Sequence, residues 1–510
     1  MTISDRKMGR NSILRIAIVA ICVLAQIAWL ILRVVWLNAY SGTIAVVTDI
    51  LALLLILRIN YKNTNASMKM PWIMLLMAFP VMGLCLYVLL ELLGDPGVGK
   101  RLRAVRETLS HHAAADDAAL ESLTASDAGA AGQCRYVSKT AGYPLYQNTK
   151  VEYYAEAADA FAALKQALSQ AENFIFMEYF IVEDGDAFRQ IEQILTQKAA
   201  AGVQIRLMYD DIGSIGTTNM RHAARLNKKG IHCVPFNPAI PFVNLFMNHR
   251  DHRKIAVVDG KVAFTGGFNL ADEYFGIKKP YGHWKDTGLR LEGEAVQALT
   301  STFLELWSVQ TRQQEDVSSY LRSESAAAPG YVQPFGDDPL GQERIAENVY
   351  LNMIHGAKKS LYFITPYLII TDEMTHALTL AAKRGVDVRI VTPGVPDKKT
   401  VYQITRSYYG ALVRGGVRIY EYTPGFCHAK MCVCDDKIAS VGTSNLDYRS
   451  LYHHFENDVL LIDCPAIAHI SADFAQMFQV SREVTAAYCK NPGLLLKLWR
   501  YILRLVAPLL

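Results

Sequence analysis

One arrangement of residues is written twice in this chain. His252-Arg253-Lys254 is followed after four residues by Asp259, and after six more by Gly266-Gly267-Phe268-Asn269. His428-Ala429-Lys430 is followed at the same intervals by Asp435 and by Gly442-Thr443-Ser444-Asn445. The copies stand 176 residues apart, and the text around them repeats too. Strand-like Phe174-Ile175-Phe176 leads through a helical run to Gly202-Val203-Gln204-Ile205-Arg206-Leu207; Leu361-Tyr362-Phe363-Ile364 leads through another to Gly385-Val386-Asp387-Val388-Arg389-Ile390. A repeat on this scale is a duplicated domain, not a short-period solenoid. Strands alternating with helical runs make each copy α/β. Two such halves packed together would hold a site between them.

The spacing has a chemical reading. In His-x-Lys on a strand both side chains point to one face. The strand then turns at Asp259-Gly260 or Asp435-Asp436 and returns to Gly and Asn. Two such hairpins would supply two imidazoles, two ammonium groups and two amides. That set suits phosphoryl chemistry, with one imidazole attacking phosphorus and the other protonating the leaving oxygen. Lys254, Lys430, Asn269 and Asn445 would stabilise the non-bridging oxygens. The two lysines supply positive charge, so neither a metal nor another cofactor is required. A single copy could be a buried structural histidine, the lesser of the two readings, and two intact copies argue more strongly for chemistry.

Composition narrows the setting. A formal charge of +4 is too small to argue for nucleic acid. The nine cysteines show no paired framework. Cys427, Cys432 and Cys434 lack zinc spacing and read as free thiols on strands. Apolar residues concentrate at the N-terminus. Ile16 to Leu32 and Met70 to Leu90 are uncharged, and Ile44 to Leu57 is interrupted by Asp49. Two to three transmembrane helices are expected, at about 13–37, 44–59 and 70–93, within an anchor over 1–106. A cleaved signal peptide competes for the first run, but no cleavage pattern follows it. Basic residues flank the runs at Arg6, Lys7 and Arg10, at Lys62 and Lys69, and from Lys100 to Arg106. Three crossings cannot put all these flanks on one side, so one run does not span or the positive-inside rule fails once.

The expected plan continues with a partly helical linker over 107–133, a first α/β domain over 134–322, a Pro- and Gly-rich linker over 323–342 and a second domain over 343–492. Residues 493–510 place Lys497, Arg500 and Arg504 on one face of an apolar helix. That pattern reads as a membrane-surface element, with a helix docked on the core as the alternative.

The twin motif resembles the signature of the phospholipase D superfamily. The words around it narrow the resemblance to bacterial cardiolipin synthases over roughly Met70 to Leu510. They are Phe176-Met177-Glu178-Tyr179-Phe180, Tyr209-Asp210-Asp211-Ile212-Gly213-Ser214, Gly267-Phe268-Asn269-Leu270-Ala271-Asp272-Glu273-Tyr274, Thr365-Pro366-Tyr367, Asn445-Leu446-Asp447-Tyr448-Arg449-Ser450 and the closing Arg504 to Leu510. The resemblance implies two phospholipase-D-like αβα sandwich domains with the active site between them, behind N-terminal transmembrane helices in the bacterial inner membrane, with the catalytic part facing the cytoplasm. It implies that one phosphatidylglycerol gives its phosphatidyl group to His252, with His428 as acid and then base, and that a second phosphatidylglycerol accepts it, giving cardiolipin and glycerol. Membrane lipids are the implied partners, and no nucleic acid. Water or another alcohol as acceptor is the alternative, and a non-catalytic scaffold a distant one. It implies an orienting carboxylate for each histidine, Asp286 for His252 and Glu456 for His428. Asp259 and Asp435 are then left to hold their hairpins. The chain departs from the family pattern at Gly288, where His is common, at Cys427, where an aliphatic residue is commoner, and at His453-His454, where an apolar residue and Asn are more usual.

Overall fold

β-Branched and aromatic residues build the strands, and central strands such as Phe174–Tyr179, Lys254–Val258 and Met431–Cys434 are buried on both faces. Phe174 and Phe176 face one core while Ile175, Met177 and Tyr179 face another. This is the alternation of a strand, with apolar residues on both sides because helices or a second sheet cover each face. The computed structural model describes Leu24, Ile27, Ala28 and residues 42–88, 96–110, 117–219, 221–238, 249–313, 317–321, 324–490 and 493–509.

Two mixed sheets form the body. The first has seven strands in the order Thr149–Tyr154, Gly288–Gly293, Val262–Gly266, Lys254–Val258, Phe174–Tyr179, Gln204–Asp210 and His232–Phe236. The second repeats it strand for strand: Tyr331–Asp337, His454–Ile462, Ile438–Gly442, Met431–Cys434, Ser360–Ile364, Asp387–Pro393 and Arg418–Tyr422, with Ser481–Glu483 added at the edge. The duplication read from the sequence is therefore a duplication of topology.

Three large apolar clusters divide the layers. The helices Ala157–Gln170 and Asp186–Ala200 share one cluster with one face of the first sheet. The helices Ile345–Gly356, Asp372–Lys383 and Lys399–Arg414 do the same for the second sheet. The third cluster joins the opposite faces of both sheets and contains the helices Val296–Thr311 and Ala466–Val480. The strand Met431–Cys434 shows the division in four residues: Cys432 and Cys434 enter one cluster, Met431 and Val433 the other. Burial holds the Cys434 thiol up at about 12 and raises Cys432 well above the ordinary thiol range.

Two short parallel pairings tie the halves together where the motifs begin. Arg250–Asp251 of the first half pairs with His454 and Phe455 of the second. Gly425–Cys427 of the second half pairs with His283–Lys285 of the first.

Both expected linkers contain ordered structure. Asp117–Ser126 and Ala128–Ala141 are helices, and Ala119, Leu123, Ala131, Cys134 and Val137 join the second half's core. Asp127 caps the second helix by accepting from Gly129 and Ala130. Tyr331–Asp337, inside the expected Pro- and Gly-rich linker, is a fully buried strand carrying Pro334. Pro is tolerated there because this is the sheet's edge strand.

The N-terminal run Ile16 to Leu32 lies outside the described residues apart from Leu24, Ile27 and Ala28. Ile44 to Leu57 falls in the helix Gly42–Tyr61. The expected span at about 70–93 is instead two helices, Ala66–Ala78 and Pro80–Tyr87, as far as residue 88 is described. Pro80 forces the break, because the residue before proline is excluded from helical backbone: Phe79 sits at φ −143°, ψ 75°. No helix among the described residues is long and apolar enough to cross a membrane.

The C-terminal helix Leu494–Val506 docks and stays exposed at once. Leu503 and Ala507 join the second half's core, and the Arg504 guanidinium lies 4.2 Å from the ring centre of Tyr408. Leu494, Leu495, Leu498, Trp499, Tyr501, Ile502 and Leu505 remain exposed.

Replacing the fully buried Leu123 by Ala is expected to destabilise the chain by about 2–5 kcal/mol in denaturant unfolding. A residue in a true linker would show a change of less than about 0.5 kcal/mol.

Candidate active site

Each motif histidine is delivered by a strand pairing with the other half. The His252 backbone N–H donates to the Phe455 carbonyl at 2.9 Å, one residue before Glu456. The His428 N–H donates to the Lys285 carbonyl at 2.7 Å, one residue before Asp286. The side chains meet accordingly. His252 Nδ1 lies 2.8 Å from Glu456 Oε2, and His428 Nδ1 lies 2.7 Å from Asp286 Oδ2. This corrects the implied assignment of Asp286 to His252 and Glu456 to His428. Chain proximity suggests a partner in the same half, but parallel pairing between the halves puts each carboxylate beside the other half's histidine.

The carboxylates are themselves held. Glu456 also accepts from Thr443 Oγ1 at 2.5 Å and from the Ser450 hydroxyl. Asp286 Oδ1 accepts from the Thr287 N–H at 2.9 Å. The motif glycines make room for these strands. A Cβ on Gly266 would stand 2.3 Å from the Thr287 carbonyl oxygen, and one on Gly442 would stand 2.1 Å from Asp458 Oδ1.

Charge in the site follows from burial. Desolvation pushes His252 well below the ordinary imidazole range, and desolvation with the nearby Lys430 lowers His428 to about 4. Both rings are therefore neutral at pH 7. Glu456 is held below the usual carboxylate range against its burial, by attraction to His252 whenever that ring is protonated and by the hydrogen bond from it. We take the neutral ring with an ionised Glu456 as the resting pair, with Nδ1–H donating to the carboxylate and Nε2 left bare.

Burial lowers Lys254 to about 7, with repulsion from Lys430 as the next cause. Burial lowers Lys430 to about 8. Lys254 Nζ donates to the His252 carbonyl at 2.6 Å. Lys430 Nζ donates to the His428 carbonyl and lies 2.7 and 3.1 Å from the ring nitrogens. The two ammonium groups thus share one small buried space, a ready place for an anion.

The other expected residues divide. Asn269 accepts from the Ile181 N–H at 3.0 Å and donates to Tyr274 Oη at 2.9 Å. Tyr274 is edge-on to His428 at 5.2 Å between ring centres, so Asn269 reaches the site through it. Asn445 is buried, and its amide oxygen has no hydrogen-bond partner among the described residues. Asp259 and Asp435 point away from the histidines. Asp259 accepts from the N–H groups of Glu172, Asn173 and Phe174 at 2.7, 2.7 and 2.8 Å. Asp435 accepts from Lys358, Lys359 and Ser360 at 2.8, 2.7 and 2.9 Å. Each sits at positive φ and ties its hairpin turn to the start of the neighbouring strand.

Other members carry no motif. Phe180 stands 5.0 Å from His252; Trp284 and Phe426 stand 5.6 and 5.8 Å from His428. Asp210 forms a buried bidentate pair with Arg250 (2.9 and 2.7 Å) and accepts from the Asp251 N–H, so it anchors the strand entering His252. An acidic word beside an apolar run, paired with a lone Arg before the motif, was the available signal. His454 is buried 5.3 Å from the His252 ring; neither ring nitrogen makes a hydrogen bond among the described residues.

A duplicated α/β fold that shares two histidine–carboxylate pairs and two lysines across its halves defines a phosphoryl-transfer class of protein. The family model described as "Cardiolipin synthase, PLD-like domain" matches residues 164–307 and 350–478. This chain belongs to that family of phospholipase-D-like proteins. A Streptococcus mutans protein described as uncharacterized is 42% identical over 86% of this chain and 96% of its own length. A cardiolipin synthase of Halalkalibacterium halodurans is 33% identical over 94% of this chain and 96% of its own. The solved phosphatidylserine synthase of Haemophilus influenzae superposes with a TM-score of 0.56 at 13% identity, over 74% of this chain and 99% of that one, a likeness of fold.

Asp259→Ala strands three backbone N–H groups, and the expected loss is about 3 kcal/mol of stability in denaturant unfolding. Turnover per folded molecule should fall less than tenfold; a far larger fall would put Asp259 in the chemistry.

Proposed function

We propose that this chain is a cardiolipin synthase that works through a phosphatidyl-histidine. The observation that carries the reading is the pair of neutral histidines, each backed by a carboxylate from the opposite half, beside two buried lysines. The relatives named cardiolipin synthases, alike over most of the chain, support the substrate.

In the first step His252 Nε2 attacks the phosphorus of one phosphatidylglycerol. The nitrogen–phosphorus bond forms as the bond to the glycerol oxygen breaks. His428 gives that oxygen its proton, and glycerol leaves. Glu456 stabilises the cationic ring through Nδ1–H. In the second step His428 takes the proton of a hydroxyl on a second phosphatidylglycerol. That oxygen attacks phosphorus, His252 leaves, and cardiolipin is formed. Lys254 and Lys430 face the non-bridging oxygens. A bound phosphodiester anion offsets their repulsion and raises His428 toward its protonated form, as the first step requires.

The substrates are lipids, so the site must meet a bilayer. Exposed Val46, Val47, Ile50, Leu53, Leu54 and Leu57 near the N-terminus support seating there, with Leu494, Leu495, Leu498 and Trp499 near the C-terminus. The two regions adjoin, because the turn Ala507–Leu509 meets the helix Ala66–Ala78. The basic Lys497 and Arg500 of the C-terminal helix suit anionic headgroups. How many segments span the bilayer, and the cytoplasmic facing of the catalytic part, belong to the same proposal.

The test is turnover of the detergent-purified chain on phosphatidylglycerol alone. Cardiolipin with stoichiometric glycerol is the expected product. Phosphatidic acid alone would make the chain a hydrolase. His252→Ala and His428→Ala should each lose at least about 10⁴-fold in rate. A phosphatidyl ester of p-nitrophenol separates their roles, since its leaving group needs no proton. His428→Ala and Asp286→Asn should still release one equivalent of nitrophenolate in a burst, and His252→Ala none. A burst from His252→Ala would reassign the nucleophile.

The pH profile of kcat/KM follows from the site's charges. His252 is neutral well below its usual range, so no activating limb is expected near pH 6.5. His428 must carry a proton and is lowered to about 4 in the free chain, so kcat/KM should already fall as the pH rises toward 7. Discharge of Lys254 and Lys430 through about 7 and about 8 should steepen the decline. A profile that rises through pH 6.5 and stays flat above 8 would contradict this assignment.

A further inference from the structure

We propose that His252, His454 and Glu456 form a zinc site whose occupation stops the reaction. The inhibitory half of the proposal rests on the part assigned to His252 above; the site itself does not.

One donor atom from each of these residues lies within 4.8 Å of the other two, and all three residues are buried. His252 Nδ1 and Glu456 Oε2 are 2.8 Å apart, and His454 Nδ1 is 3.5 Å from Glu456 Oε1. Ligands about 2.0–2.2 Å from a tetrahedral zinc stand roughly 3.3–3.6 Å from one another, so a single Glu456 oxygen turned toward both rings would complete the set. Two imidazoles and one carboxylate, with a fourth position open, match zinc and not the all-oxygen shells of magnesium or calcium.

His454 points to a ligand independently. It is buried, yet neither ring nitrogen has a hydrogen-bond partner among the described residues. A buried imidazole is ordinarily satisfied, and a metal would use one of these nitrogens. Phe180 and His252 flank the ring, and Glu456 Oε1 lies 3.5 Å from Nδ1, beyond good hydrogen-bond geometry but facing it.

Either nitrogen of His252 leads to the same result. Zinc on Nε2 takes the lone pair that would attack phosphorus. Zinc on Nδ1 displaces the proton shared with Glu456, releases it to solvent and withdraws charge from the ring. Lys254 beside the site opposes a dication, so binding is expected to be reversible by a chelator rather than permanent.

The test uses the full-length chain in detergent with three metal salts. Cobalt(II) should bind once per chain and give the visible absorption of a tetrahedral site, displaced by zinc. Zinc should inhibit turnover on phosphatidylglycerol, EDTA should restore it, and magnesium at equal concentration should do neither. His454→Asn should lose the cobalt band and, measured against its own zinc-free turnover, need at least about tenfold more zinc for half-inhibition. His454→Gln serves as a second variant with the same expectation. Absence of the cobalt band in the unaltered chain overturns the site, whatever the variants do. Unchanged zinc inhibition in both variants overturns it as well. Zinc that binds and is lost in His454→Asn, but never slows turnover, keeps the site and overturns the role of His252.

Discussion

The structure turns on one exchange: each half of the duplication supplies the carboxylate that orients the other half's histidine. The exchange is built from backbone. Arg250–Asp251 runs parallel to His454 and Phe455, and Gly425–Cys427 runs parallel to His283–Lys285, so the residue after each pairing falls beside its partner. A side chain chosen by surface diffusion would carry rotamer freedom; these carboxylates sit on strands whose backbones are already bonded. The His–carboxylate distances of 2.8 and 2.7 Å are almost equal, as expected when one geometry is made twice.

Much of the charge behaviour descends from that exchange. A buried histidine is pushed toward neutrality, and Glu456 stays charged against its burial because the His252 imidazole and nearby hydroxyls hold it. Glu456 gathers Thr443, Ser450 and His252 on its two oxygens. The motif lysines lie against the His252 and His428 backbone carbonyls, with Lys430 also beside the His428 ring, and their charge is held in readiness for an anion. Neither half alone contains a complete pair, so the assembled interface is a condition for the chemistry.

The sequence carried the duplication, the α/β alternation and the residues of the motif, because hydrophobic period and fixed spacing are local properties. It also carried the part of Asp259 and Asp435, since a short acidic side chain at a turn is a backbone acceptor before it is anything else. The pairing of Asp286 and Glu456 was not legible. Which of two similar halves a strand edge joins is decided by tertiary packing, and nearness in the chain pointed the wrong way. The docking of the helices over 117–141 on the second half's core and the strand at 331–337 were hidden for a compositional reason. Ala and Ser make weak apolar stripes, and three prolines near one strand resemble a loop until the strand is known to lie at an edge. The split at Pro80 was legible in principle, because the residue before proline resists helix, but the uninterrupted apolar text outweighed it.

Burial of the reacting groups bears on the choice between transfer and hydrolysis. Bulk water is present at far higher concentration than any lipid alcohol, so a covalent intermediate survives for transfer only where water is kept from phosphorus. His252 and His428 are 6% and 8% exposed, and Phe180, Tyr274, Trp284 and Phe426 stand around them. An aromatic enclosure admits an acyl-bearing alcohol that brings its own apolar surface, and it penalises an isolated water that must leave hydrogen bonds behind. The same enclosure lowers the lysines and histidines. Dryness and charge tuning are thus one property of the site, and a substitution that opened the aromatic wall would be expected to move both together.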